Sequence, residues 1–214
     1  MNIDELLKYR EDLLSNATDS EGYISQLSVL ENILPSLIET KLVESETINV
    51  SPPNASYSVI GFWENESGER LQIFLVDSDS VSLSSPKEKI IHTRKDHHSG
   101  LFKSGLDFIK KSVKRHLNEE LQDSDPLAVL SQKLGTSNYI QQVDVVEIIL
   151  LTTSISVESR GKEQALKRFL FEDEDFKVKY SKSRNEAEKK LLIQYKLIDI
   201  GYLYQVSVSQ GNAD

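Results

Sequence analysis

None of the 214 residues is a cysteine, which excludes disulfide staples and thiolate metal centres. Long apolar runs are missing as well. The most continuous, VVEIILL, falls far short of the ~20 residues that a membrane-spanning helix needs. The start, MNIDELLKYREDLL, is broken by Asp4, Glu5, Lys8, Arg10 and Glu11, so it lacks the apolar middle and cleavage pattern of a secretory leader. A bacterial-type cytoplasm is the expected compartment, with no membrane partner. Glycine is sparse, at nine residues, and scattered, so no phosphate-cradling loop and no GxSxG nucleophile elbow can be read. Positive charge is also in deficit. A net charge of -9 excludes a protein that coats nucleic acid with its whole surface.

The charge that is present is unevenly placed. Between Lys87 and Leu117 nine basic residues face three acidic ones, leaving -15 for the rest of the chain. All four histidines, His92, His97, His98 and His116, fall in the same window. Its length allows one substantial core, read as a helical segment over 1–50 packed on the same globular unit as a mixed α/β region over 51–214.

The opening residues place Ile3, Leu6, Leu7, Leu13 and Leu14 near one helical face. A second helical stretch runs from about Tyr23, with a kink or break expected at Pro35. NVSPPNAS ends helical structure. From Tyr57 the period changes to two: YSVIGFWEN and ERLQIFLVDSD form a hairpin closed at NESGE, with Gly68 supplying the positive φ. DSDSVSLSSPKEK follows as a polar loop long enough to move. The next helix is expected over about His98 to Glu120, with Phe102, Leu106, Ile109, Val113 and Leu117 on its apolar side. Asp125-Pro126 opens a short helix through Leu134, which Gly135 stops. Val145 to Leu151 is too continuously apolar for a strand wetted on one face, so it reads as a central strand. A helix around Lys162 to Phe171 and strands at FKVKY and IQYKLID complete the expectation. The class is α/β, a mixed sheet flanked by helices.

The order of these pieces, with Gly61-Phe62 opening one strand, Asp77-Ser78-Asp79 closing the next, Leu151-Thr152 ending the apolar strand and Ile198-Asp199-Ile200 leading into Tyr202-Leu203, resembles the amino-terminal region of the abortive infection phage-resistance family. Gly201-Tyr202 and Thr153-Ser154 depart from the family's more acidic or charged pattern. The resemblance implies a role in bacterial defence against phage. It also implies a carboxy-terminal remainder of a longer protein as the first partner.

The layout also looks like a restriction-endonuclease core, whose chemistry needs carboxylates and a lysine around one metal ion. In a hairpin closed at NESGE, Glu64 lies opposite roughly Arg70 and Asp77 opposite roughly Tyr57. The two carboxylates are then about seven residues, or 20 Å, apart, too far to share an ion. The segment from Asn54 to Ser58 that faces Asp77 offers no carboxylate, and no lysine occurs between Lys41 and Lys87. The core is therefore expected to be degenerate, with no catalytic residues and no cofactor; Mg²⁺ enters only if the chain is a nuclease. Asp77 and Asp79 are the candidate metal ligands, against the plainer reading of solvated carboxylates that discourage edge pairing. The adjacent His97 and His98 point about 100° apart on a helix and do not chelate as a pair. Lys103, Lys110, Lys111, Lys114 and Arg115 are the candidate contacts to nucleic acid or an acidic partner, against an ordinary solvated helix face. Trp63 reads as a core or interface aromatic.

Overall fold

The computed structural model describes residues 3–45, 47–51, 57–86, 90–92, 94–114, 121, 124–158, 167–179 and 188–211. Its centre is set by three apolar strands, β3 (Arg70–Val76), β5 (Val145–Leu151) and β9 (Lys189–Ile198), which run parallel with β5 in the middle. Every residue of β5 after Val145 is buried, which matches a strand covered on both faces. On one side, β2 (Val59–Glu64) pairs antiparallel with β3, and the two-residue β1 (Asn49–Val50) pairs with β2. On the other, β8 (Glu174–Val178) pairs antiparallel with β9. The resulting order is β1-β2-β3-β5-β9-β8. β4 (Ile91–His92), β6 (Ile155–Glu158) and β7 (Lys167–Arg168) form a second, small sheet.

Helices cover both faces. α3 (Lys95–Val113), α4 (Pro126–Leu134) and α5 (Ser137–Gln142) bury Phe102, Leu106, Ile109, Leu127, Leu130, Leu134 and Ile140 against Leu71, Ile73, Leu75, Ile148 and Ile193. α1 (Ile3–Asn16), α2 (Gln26–Glu39) and α6 (Ile200–Gly211) bury Leu6, Leu14, Leu30, Ile33, Leu37 and Leu203 against Ile60, Phe74, Val76, Ile149 and Leu151. Alternate residues of the same strands feed the two layers, as a period of two requires.

Local chemistry starts and stops these elements as the sequence suggests. Asp125 caps α4 by accepting from the Leu127 N–H at 2.9 Å, and Pro126 takes the first turn, where no N–H is needed. The hairpin turn places Gly68 at φ 72° and closes with the Gly68 N–H on the Asn65 carbonyl. Ser25 and Ser28 form a reciprocal capping box for α2.

Three expectations change. α2 runs through Pro35 without a break: the proline removes one N–H, but Leu34 and Leu37 beside it are buried and hold the last turn on the sheet. α3 begins before His98, at Lys95, and is followed through Val113; the stretch beyond 114, with Leu117, lies outside the described residues. No helix occupies 167–171. Lys167–Arg168 is a strand paired with β6, residues 169–173 have no regular structure, and Lys162 is outside the described residues. The hairpin, the crossover helix and the parallel strand are present, but their order alone does not establish a restriction-endonuclease-like core.

α3 lies unusually close to the sheet at Gly105. A β-carbon added there would come within 3.1 Å of Ile148 Cγ2 and 3.2 Å of Leu75 Cδ1. Gly105→Val should therefore lift the helix from β3 and β5 and lower the unfolding free energy by about 1–3 kcal/mol, read from the urea midpoint.

Candidate functional site at the carboxyl ends of the parallel strands

Because β3, β5 and β9 are in register, the residues after them fall in one row: Asp77, Thr152 and Asp199 follow the aligned Val76, Leu151 and Ile198. Ligands of open α/β sheets gather outside this end of the strands. Here the row is buried, with Asp77 and Asp199 each 2% exposed. Asp77 is therefore not the solvated edge carboxylate that the sequence suggested.

Each aspartate is fully engaged. Asp77 Oδ1 accepts from the Asp79 N–H at 3.2 Å, capping the short 3₁₀ turn over Ser78–Ser80, and lies 3.0 Å from His97 Nε2. Its Oδ2 accepts from Thr152 Oγ1 at 3.1 Å. Asp199 caps α6 by accepting from the Tyr202 N–H at 2.8 Å, while its other oxygen accepts from the Ser156 N–H at 3.0 Å. The same geometry serves twice: an aspartate leaves a parallel strand and starts the next helical turn.

Asp77, Asp79 and His97 bring one donor atom each within 4.8 Å of one another, and carboxylate oxygens with an imidazole nitrogen suit a divalent cation. Both Asp77 oxygens also accept hydrogen bonds from protein donors, so the cluster has a structural role as well. His97 and His98 diverge as their adjacency predicts: His98 is fully buried, with Nε2 3.3 Å from Ser156 Oγ. His92 belongs to β4 rather than to a loop, and His116 is outside the described residues.

A buried cation locks this end of the fold. Arg10 of α1, 3% exposed, donates from Nε to the Thr153 carbonyl at 2.8 Å and from Nη2 to the Ser80 and Ser82 carbonyls at 2.8 and 2.7 Å. Ser80 and Thr153 are bonded to each other as well, through Thr153 Oγ1 to the Ser80 carbonyl at 2.6 Å. The front of the loop expected to be mobile is therefore pinned. Arg10→Met would leave three carbonyls without their charged donor. It should cost about 3 kcal/mol and speed amide hydrogen exchange over 79–82.

A second polar cluster sits inside the sheet, where the hairpin arithmetic did not reach. Glu147, 2% exposed, accepts on Oε2 from Arg70 Nε at 2.8 Å and Gln72 Nε2 at 2.7 Å, and pairs through Oε1 with Lys196. Arg70 also pairs with Glu44. The search for a lysine between Lys41 and Lys87 missed Lys196 because the partner comes from β9, two strands away. The visible sign was an acid inside VVEIILL. Burial alone would push the Glu147 carboxyl up; hydrogen bonds from Lys196 and Gln72 and the charges of Lys196 and Arg70 outweigh it and hold the group below the usual carboxylate range. A lowered carboxyl stabilises the fold above the unfolded pKa, and that contribution is lost as pH falls through the folded value. Glu147→Gln should cost about 2 kcal/mol at pH 7. The gap to the parent should shrink below about pH 4, measured by urea unfolding across pH.

The remaining candidates separate. Glu64 stands at the far end of the hairpin, paired with Leu71 in register and bonded by Tyr139 Oη at 2.6 Å and Lys133 Nζ at 2.5 Å. Lys111 donates to Tyr57 Oη at 2.9 Å, and Lys110 lies 3.8 Å from Glu174 and 5.5 Å over the Phe176 ring. Lys114 ends α3, Lys103 is exposed on it, and Arg115 is outside the described residues. Trp63 packs partly buried against the α1/α2 layer.

A family model described as the abortive infection phage resistance protein N-terminal domain matches residues 30–205. The chain belongs to that family. No curated protein matches it, and no solved structure does. No helix among the described residues is long and apolar enough to cross a membrane.

Proposed function

We propose that this amino-terminal domain of an abortive infection phage resistance protein acts in the bacterial cytoplasm as a recognition or assembly module without hydrolytic activity of its own. The observation that carries the reading is the separation of its two buried sheet carboxylates. Glu147 is level with Gln72, five residues before Asp77, about 17 Å along the strands. Asp77 turns to His97 of α3, whereas Glu147 lies with Gln72 beneath the Leu42 carbonyl after α2. One metal ion cannot be held by both.

What the carboxylates do instead is structural. Asp77 and Asp199 start helical turns, and Glu147 neutralises Lys196 and shares Arg70 with Glu44. The natural partner is the carboxy-terminal remainder of a longer defence protein, or a separate protein. Lys110 and Lys111 also make contacts within the domain, and the basic side chains of α3 are the described part of the 87–117 window that could touch nucleic acid.

A metal-dependent nuclease is the second reading. It is favoured by Glu147 and Lys196, a buried carboxylate against a lysine on neighbouring strands, with Mg²⁺ as the ion required. Supercoiled plasmid and single-stranded RNA incubated with the purified chain and Mg²⁺ or Mn²⁺ should remain intact under the recognition reading. Cleavage that disappears in Glu147→Gln would replace that reading with the nuclease.

A further inference from the structure

α3 carries a second stripe, away from its apolar side. Lys95, Ser99 and Lys103 recur every four residues, about 12 Å from first to last along the axis. Opposite them lie Phe171 and Glu172, which follow β7, and Tyr195 of β9. Together they enclose an open cleft of about 470 Å³, within the size of small-molecule sites.

The chemistry of the walls is mixed in a specific way. Phe102 lies between Phe171 and Tyr195, with ring centroids 4.7 and 5.1 Å away and both rings edge-on to it. Phe102 is buried, while Phe171 and Tyr195 are only partly so and line the cleft. The Tyr195 hydroxyl is turned to Glu174 at 3.0 Å and does not occupy the opening. Lys95 Nζ lies 5.0 Å over the Phe171 ring, so it is held at the rim. Among the described residues no ion pair or hydrogen bond engages Lys103. Glu172 adds one carboxylate to the same lining.

Ammonium groups bind phosphate, aromatic faces stack planar bases in a sequence-tolerant way, and a carboxylate accepts from ribose hydroxyls. We infer that the cleft between α3 and the Phe171–Glu172 segment is a binding site for a ribonucleoside phosphate, with Lys95 and Lys103 on the phosphate, Phe171 and Tyr195 against the base and Glu172 on the ribose. This goes beyond the recognition role by naming what is recognised. It needs no catalysis, so the plasmid result neither supports nor removes it. The nucleotide has two possible sources, a free mononucleotide or a unit of single-stranded RNA.

Calorimetric titration of the full chain with AMP, adenosine, inorganic phosphate, dAMP and an RNA octamer tests the assignment. AMP should bind saturably, with adenosine and phosphate each at least about tenfold weaker. Lys103→Glu and Phe171→Ala should each weaken AMP by about tenfold or more while the far-ultraviolet circular dichroism is unchanged. Glu172→Gln should abolish the preference for AMP over dAMP. An octamer binding at least tenfold tighter than AMP assigns the site to strands, and one binding no tighter assigns it to the free nucleotide. Absence of saturable binding by both AMP and the octamer, or binding indifferent to Lys103→Glu and Phe171→Ala, overturns the proposal. Lys103 is exposed, so its variant keeps the test independent of folding.

Discussion

Three parallel strands held in register, of which β3 and β5 are buried on both faces, constrain nearly everything else in this domain. A strand covered on two sides has no solvated face for polar side chains, so each one either leaves at a strand end or finds a complete set of partners within the sheet. Asp77, Thr152 and Asp199 take the first course, and Gln72 and Glu147 the second. The two polar regions are the two solutions to one problem of desolvation.

Those solutions differ in what they leave available. At the carboxyl ends the hydroxyls of Thr152, Thr153 and Ser80 interlock with Asp77 and Arg10, giving a network whose members satisfy one another. Inside the sheet, Glu147 sits between Arg70 and Lys196, both 28% exposed, so the charge is neutralised at a margin that water still reaches. An open concavity lies elsewhere, on the outer flank of α3. Asp77 and Leu151-Thr152 fall at the strand ends where the resemblance put them, while Gly61-Phe62 lies inside β2, which begins at Val59.

How much was legible follows from how local each cause is. Asp125-Pro126, the NESGE turn and the mostly apolar run of β5 act within a few residues, and each produced the element that its chemistry implies. The Glu147 cluster depends on residues 70, 72, 147 and 196 meeting across parallel strands, a pairing that no local pattern encodes; only the acid within VVEIILL announced that something must meet it. Arg10 looked like one more charged residue of an amphipathic helix, since its three acceptors are main-chain carbonyls and main chain leaves no mark on sequence. Pro35 misled because tertiary burial of its neighbours outweighed the lost hydrogen bond. At Lys167–Arg168, helical propensity gave way to pairing with β6.

The reach of Arg10 has a practical side. The family match begins at residue 30, inside α2, and so omits the whole of α1. Yet Leu6, Leu13 and Leu14 are part of the layer that covers Phe74 and Ile149, and the guanidinium beside them ties together the exits of two strands. Cutting the gene at the boundary of the recognised homology would strip one wall from the building along with its tie-beam, and a fragment so trimmed would come out of expression sticky rather than merely shorter.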